Sequence, residues 1–296
     1  MRVLNFGSLN IDYVYQVDHF VQPGETLSSE KLQVNCGGKG LNQSIALSRA
    51  GVETWHAGYV GKEGSFLREK LEQAGVHTEF VKQVPGNNGH AIIQVDASGQ
   101  NSILLHSGSN GQIDEAFVDR VLDRFSSEDV VLLQNEISCV GYILEQAARR
   151  GMRVALNAAP ANNALLSMPL EHLTWLLVNE VEGSFLSGQQ SSEAIVSCLT
   201  QRYPRTMLVL TLGTEGSITA LGNTRAHAGI FPVQAVDTTA AGDTFTGYFL
   251  RGMLDGAAPE ECLRLASAAS ALAVTRPGAA DSVPAYQEVL DFLEHH

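Results

Sequence analysis

Val3, Leu4 and Phe6 open the chain as a short apolar segment that stops at Gly7-Ser8, so residues 2–7 are predicted as a strand followed by a turn. Polar and apolar positions then alternate over 13–17 and 30–34, on either side of Pro23-Gly24, the pattern of a small antiparallel excursion with one exposed face. Glycines at 37, 38 and 40 introduce a helix over about 40–50, closed by Gly51. A strand at 53–59 and a helix at 64–74 repeat the rhythm. Residues 78–84, 89–96 and 101–106 read as three short strands around Asn87-Asn88-Gly89 and Ser98-Gly99, a meander rather than a crossover unit. Beyond about residue 113 the periodicity changes. Helices are predicted at 114–125, 138–150, 191–202, 241–254, 259–273 and 284–293, and strands at 129–133, 153–156, 174–178, 206–211 and 216–221.

Strands alternating with helices of these lengths indicate an α/β chain with a mostly parallel central sheet and helices on both faces. The runs Val130-Val131-Leu132-Leu133 and Leu208-Val209-Leu210 suit buried parallel strands, although a short buried helix has the same composition. The expected organisation is one α/β domain over 1–296, with a small β lid formed by insertions at about 12–34 and 86–106. There are no internal repeats and no low-complexity tracts.

Composition narrows the function. The chain has 19 Lys and Arg against 32 Asp and Glu, a formal charge of -13, which disfavours a nucleic-acid partner. A small anion remains possible, because helix N-termini and a metal ion bind anions whatever the net charge. No apolar run is long enough to span a bilayer, and the first residues are too quickly interrupted for a signal peptide, so no membrane is involved and a cytoplasmic location is expected. Cys36, Cys139, Cys198 and Cys262 have no metal-ligand spacing and suit a reducing compartment. Gly37-Gly38-Lys39-Gly40 is neither a Walker loop nor a dinucleotide turn, and neither H-E-x-x-H nor G-x-S-x-G occurs. The scattered histidines are given no catalytic role.

The most informative segment is Val236-Asp237-Thr238-Thr239-Ala240-Ala241-Gly242-Asp243-Thr244-Phe245-Thr246-Gly247. Small residues at 240–242 permit a tight turn and close approach of a ligand, and the apolar helix that follows offers free N–H groups and its dipole to an anion. That arrangement suits the charge that develops on a transferring phosphoryl group. Asp243 is then either a cap and dipole partner or the base that takes the proton of an attacking hydroxyl. Other candidates lie at strand ends. Glu136 ends the strand at 129–133, where open α/β sheets bind ligands. Asn179 and Glu182 follow the strand at 174–178, with Glu182 also suited to a helix dipole. Asn10 and Asp12 are either turn caps or ligand contacts, and Lys39 and Asn42 stand where a helix begins.

Two stretches carry a resemblance: Cys36-Gly37-Gly38-Lys39-Gly40-Leu41-Asn42-Gln43 and Asp237-Thr238-Thr239-Ala240-Ala241-Gly242-Asp243-Thr244-Phe245. Between and after them stand Leu133-Gln134-Asn135-Glu136, Asn179-Glu180-Val181-Glu182, Thr211-Leu212-Gly213-Thr214-Glu215-Gly216 and Arg276-Pro277-Gly278-Ala279, in matching order. Over almost its whole length the chain resembles the ribokinase-like (PfkB) carbohydrate kinases. The resemblance implies their three-layer fold and assigns Asp243 as catalytic base beside an anion hole at Ala240, Ala241 and Gly242. It implies sugar contacts at Asn10, Asp12, Gly38, Lys39, Asn42 and Glu136. Asn179 and Glu182 would organise magnesium and phosphate, and Thr211, Gly213, Thr214, Gly216 and Ser267 would border ATP. Asp237, Thr239, Ala273, Arg276, Gly278 and Ser282 would form a loop for a monovalent cation such as K+, and the lid would clasp a second copy in a homodimer. The chain departs from the family pattern at Cys36, Thr239, Ser267 and Gly86-Asn87-Asn88-Gly89-His90.

The activity so implied is ATP-dependent phosphorylation of a sugar primary hydroxyl, D-ribose at O5 being the first expectation. Deoxyribose, fructose or another ketose, or a nucleoside, are the alternatives within the fold. A non-catalytic sugar or nucleotide sensor that keeps the fold is the remote alternative.

Overall fold

The computed structural model describes all of residues 1–296. The first half runs β1 (Val3–Phe6), β2 (Asn10–Gln16), β3 (Lys31–Gly37), α1 (Lys39–Arg49), β4 (Thr54–Val60), α2 (Ser65–Gln73), β5 (His77–Gln83), β6 (Gly89–Val95) and β7 (Asn101–His106). The second half runs α3 (Glu115–Leu122), β8 (Val130–Gln134), α4 (Val140–Arg149), β9 (Arg153–Asn157), β10 (Trp175–Asn179), α5 (Glu180–Ser187), α6 (Ser192–Arg202), β11 (Met207–Thr211), β12 (Ser217–Leu221), β13 (Thr224–Ala228), α7 (Ala241–Leu254), α8 (Pro259–Val274) and α9 (Tyr286–Glu294).

Nine strands form the main sheet in the order β13-β12-β11-β10-β9-β8-β1-β4-β5. It is parallel from β11 to β5, and β12 and β13 add antiparallel at one edge. Alternate residues of a strand point to opposite faces, and here both faces are buried. Val3, Val130 and Leu132 join one apolar cluster with α1, α7 and α8, while Leu4, Phe6, Val131 and Leu133 join a second with α3 and α4. Burying each such side chain contributes roughly 1.5–3 kcal/mol, so the strands are a rigid platform for whatever their ends carry. This is the three-layer α/β fold expected from the sequence. No helix is long and apolar enough to cross a membrane.

Three expectations are corrected. Residues 77–83 do not belong to a meander: β5 pairs parallel with β4 at the edge of the main sheet, reached through α2 as a crossover. Strand β13 was not anticipated, and α5, expected only as a helical turn around Glu182, runs from Glu180 to Ser187. Asn10 and Asp12 do not end the first strand. They lie on β2, the start of a separate four-stranded sheet ordered β3-β2-β6-β7.

The chain leaves β1 to build α1, β4 and β5 on one side, then returns to build β8 to β11 on the other. The strand order therefore reverses between β1 and β8, and the crevice beyond the carboxyl ends of those strands is where sheets of this kind bind ligands. The small sheet is rooted beside this crevice. Asn88 in the unusual 86–90 segment is fully buried there: its Nδ2 donates to the Leu9 carbonyl (2.8 Å) and its Oδ1 accepts from the Gly61 amide (2.8 Å).

Candidate active site

Gly7 and Gly40 let the start of α1 press against the end of β1; a Cβ on Gly7 would lie 2.5 Å from the Gly40 Cα. Gly38, at φ 95°, turns the chain from β3 into that helix. Helix α1 has no side-chain cap of its own. Its first amides are instead satisfied by groups of the crevice: the Lys39 N–H donates to Glu136 Oε2 (3.0 Å) and the Gly40 N–H to Ser8 Oγ (3.2 Å). The Ser8 hydroxyl itself donates to Glu136 Oε2 (2.5 Å). Glu136, two residues past β8, is thus fixed across the switch point. Burial lifts its carboxyl above the usual range, and Lys39 and these hydrogen bonds offset only part of that.

Asn10 and Asp12, two apart on β2, share a face of the small sheet. Asn10 Oδ1 accepts from Asn110 Nδ2 (2.7 Å). The Asp12 carboxylate lies so close over Gly37 that any Cβ there would overlap it. Burial, and then the charges of Glu136 and Asp243, push Asp12 up to about 7, and no hydrogen bond opposes them. A half-buried carboxylate without a donor is an acceptor waiting for one.

Asp243 is the third residue of α7 and is buried. It does not cap that helix. Its Oδ2 accepts from Asn42 Nδ2 (3.0 Å) and its Oδ1 from Gln43 Nε2 (2.8 Å), both on α1. The N-terminus of α7 has no side-chain cap, and Ala240 before it is held at φ 60°, a region non-glycine residues rarely occupy. The Gly242 and Asp243 amides, in the first turn, have no intrahelical acceptor. They face a cavity of about 260 Å³, whose walls include Lys39, Asn179, Glu182 and Thr211. Lys39 is brought to this cavity by its side chain, whereas its backbone contacts Glu136. Burial opposes the Lys39 charge, but Asp243, Glu136 and Glu182 outweigh it and hold the ammonium above its usual range. On the other side of Glu136 opens a larger cavity of about 830 Å³ between the small sheet and α4, reached by Asn10, Asn110 and Glu136.

Asn179 and Glu182 form a reciprocal capping box at the start of α5: the Glu182 N–H donates to Asn179 Oδ1 (3.0 Å) and the Asn179 N–H to Glu182 Oε2 (2.8 Å). Glu182 Oε1 is left over at the cavity wall. No cluster of three His, Cys, Asp or Glu side chains stands ready for a metal. These residues fit Mg2+ only as that ion is usually held beside nucleotides, by phosphates, water and one carboxylate.

Asp237 ties two loops together. Its Oδ1 accepts from the Thr239 N–H (2.9 Å) and hydroxyl (2.6 Å), and its Oδ2 from the Gly278 N–H (2.9 Å). Burial works against this carboxylate, but those bonds prevail and its pKa falls below the usual range. A negative charge therefore sits between the 238–242 turn and the 276–279 loop. Nearby, the Ser282 hydroxyl donates to the Ala279 carbonyl (2.8 Å), the Arg276 N–H donates to the Ala273 carbonyl (3.0 Å), and the Arg276 guanidinium pairs with Glu288 (2.6 Å). Gly213 and Thr214 are exposed, Gly216 and Ser267 are buried, and none of the four lines the smaller cavity.

Ser8, Gln43, Asn110 and Gln134 carry bonds within the site but were assigned no role from sequence. Ser270 also escaped notice; its hydroxyl donates to the Ala241 carbonyl (2.8 Å) and pins α8 to the start of α7.

Known proteins share this architecture. Ribokinase of Haemophilus influenzae is 37% identical over 301 residues, covering 98% of this chain and 97% of the relative. The crystal structure of ribokinase from Thermotoga maritima superposes with a TM-score of 0.88 at 32% identity, covering 99% of each chain. That of Arabidopsis thaliana ribokinase complexed with ribose and ATP superposes at 0.87 with 31% identity, covering 99% of this chain and 98% of that one. With residues 2–286 matched by the model for pfkB family carbohydrate kinases, the chain belongs to that family.

Proposed function

We propose that the protein transfers the γ-phosphoryl group of ATP to the primary hydroxyl of a pentose, D-ribose at O5. The observation that carries this reading is the setting of Asp243, a buried carboxylate gripped by Asn42 and Gln43 beside the uncapped start of α7, in the wall of the cavity edged by free amides. The sugar lies in the crevice at Asn10 and Glu136, where the larger cavity opens. Asn10, Asp12, Asn42 and Glu136 meet its hydroxyls, with Gly38 permitting the approach. Two acceptors support this: the donorless Asp12 carboxylate and Asn42 Oδ1, which is buried without a partner. The triphosphate enters the smaller cavity. Thr211 and the turn at Gly213, Thr214 and Gly216 border the nucleotide, with Ser267 further along α8.

Asp243 removes the hydroxyl proton as the oxygen bonds to the γ-phosphorus. The bond from that phosphorus to the bridging oxygen breaks, and ADP leaves. The amides of the 240–243 turn and the Lys39 ammonium stabilise the charge on the moving group. Mg2+, near Asn179 and Glu182, neutralises phosphate charge when bound. The loop of Asp237, Thr239, Ala273, Arg276, Gly278 and Ser282 would hold K+, which would stiffen the anion hole. The small sheet acts as the lid that excludes water, and its exposed Leu32, Val34, Ile103 and Leu104 suit a clasp with a second copy.

One observation favours a second reading. Leu105, Ile137, Val140, Met168 and Pro169 give the larger cavity an apolar wall, which suits the base of a nucleoside. A coupled ADP-release assay across ribose, deoxyribose, fructose, tagatose and common nucleosides tests both. Ribose is expected to give the highest kcat/KM, and a nucleoside preferred over ribose would overturn the pentose reading.

A further inference from the structure

Asp243 is joined to a file of buried polar groups that crosses beneath α1, and the directions of its hydrogen bonds are set at the far end. Asn5 on β1, His56 on β4, Gln43 and Ser44 on α1 and Gln134 at the end of β8 are all 1% exposed or less. Gln43 Oε1 accepts from Gln134 Nε2 (2.8 Å), which gives its other proton to Asn5 Oδ1 (2.9 Å). Asn5 Nδ2 donates to the Gly40 carbonyl (2.8 Å) and to Ser44 Oγ (2.8 Å). Ser44 Oγ meets His56 Nδ1 (2.8 Å), and His56 Nε2 meets the Gly7 carbonyl (3.1 Å).

A backbone carbonyl can only accept. Gly7 therefore holds His56 with its proton on Nε2, and burial, pushing His56 down to about 4, keeps the ring neutral. Nδ1 must then accept, so Ser44 spends its one proton on His56 and itself accepts from Asn5. The Gly40 carbonyl imposes the same orientation on the Asn5 amide. With Asn5 Oδ1 accepting, Gln134 spends both protons, Gln43 presents its oxygen to Gln134, and the Gln43 amino group is left for Asp243. Reversing the Gln43 amide would set oxygen against oxygen at Asp243 and amino group against amino group at Gln134.

We propose that Gln43 is a positioning residue for phosphoryl transfer: it holds Asp243 Oδ1 so that Oδ2 is the oxygen offered to the substrate hydroxyl, and Gln134 and Asn5 keep Gln43 donating. This rests on Asp243 being the base, and the test separates the two. A double-mutant cycle of Gln43→Met and Asp243→Asn is read by steady-state kinetics with ribose and ATP, and by thermal melting of each protein. Asp243→Asn alone is expected to lower kcat at least ~10²-fold. Gln43→Met alone should lower kcat about tenfold or more, with both KM values within about twofold. In the Asp243→Asn background the same change should alter kcat by less than about twofold, because the group through which Gln43 acts is gone. An equal loss in both backgrounds, or unchanged kcat in Gln43→Met, overturns the positioning role. Asp243→Asn retaining more than about a tenth of kcat overturns the base itself, whatever Gln43 does. If Gln43→Met does not fold, Gln134→Met, which touches no part of Asp243, takes its place in the cycle. A folded Gln134→Met protein with unchanged kcat also overturns the proposal.

Discussion

Gly242→Ala is expected to make the protein slightly more stable and much less active. Gly242 is the second residue of α7, its φ is not among the positive ones, and a Cβ built on it meets no atom within 4 Å. Nothing in the fold therefore asks for glycine there. Alanine in a helix is favoured over glycine by roughly 0.5–1 kcal/mol, which for a chain of this size raises the melting temperature by about 1–3 °C. The open space is the cavity of about 260 Å³ beside the Gly242 and Asp243 amides. A phosphoryl oxygen must come within about 2.7–3.2 Å of such an N–H to be stabilised, and a methyl on the intervening Cα obstructs that approach. Loss of one such donor in other enzymes costs ~10²–10³-fold in kcat. Coupled ADP-release kinetics and a melting curve on one preparation measure both effects. Wild-type kcat in Gly242→Ala would refute the anion-hole assignment. A melting temperature several degrees below the parent's would show that glycine serves the fold.

Asp12 carries a pH prediction. Its carboxyl is raised from the usual 3.8 to about 7 in the fold, so the folded state binds its proton more tightly and stability falls as pH rises between those values. Asp12→Asn should flatten that slope and be more stable than the parent at pH 8 by roughly 1–4 kcal/mol, while weakening sugar use; a lower melting point for the variant at pH 8 would contradict this. Replacing NaCl by KCl at constant ionic strength should raise kcat severalfold with little change in ribose Kd, and Asp237→Asn should remove the preference; equal rates in the two salts would dismiss the cation loop. Glu136→Gln should weaken sugar use more than ATP use, and a rise confined to the ATP KM would discard its sugar role. Light scattering at micromolar concentration should return a two-chain particle, and a single-chain mass would exclude the lid clasp.

Legibility in the sequence followed the range of each interaction. Turn chemistry and helix starts are local, so the strands and helices that flank the crevice, and both glycine-rich signatures, could be read directly. Edge strands could not. β5 mixes buried Thr78 and Val81 with exposed His77, Glu79, Lys82 and Gln83, a half-buried pattern that an antiparallel meander also has. β13, Thr224–Ala228, has almost no apolar content because it lies at the other edge. The Asn179–Glu182 spacing marks a capping box and a ligand wall at once, so sequence alone left both roles open. The file behind Asp243 was missed for a different reason: its partners lie from 12 to 200 residues apart in the chain, on four different elements, and no local pattern encodes such pairings. A trace was nevertheless present. Asn5 interrupts Val3-Leu4-Phe6, Gln134 ends Val130-Val131-Leu132-Leu133, and Gln43-Ser44 sits between Leu41 and Ile45. Each polar residue falls where the apolar period demands burial, and a buried amide must find a partner or forfeit its solvation. Three such breaks on neighbouring elements around one crevice imply that they bond to one another. Because the bonds end on backbone carbonyls at Gly7 and Gly40, the close approach allowed by those two glycines also sets which atom of Gln43 faces the carboxylate.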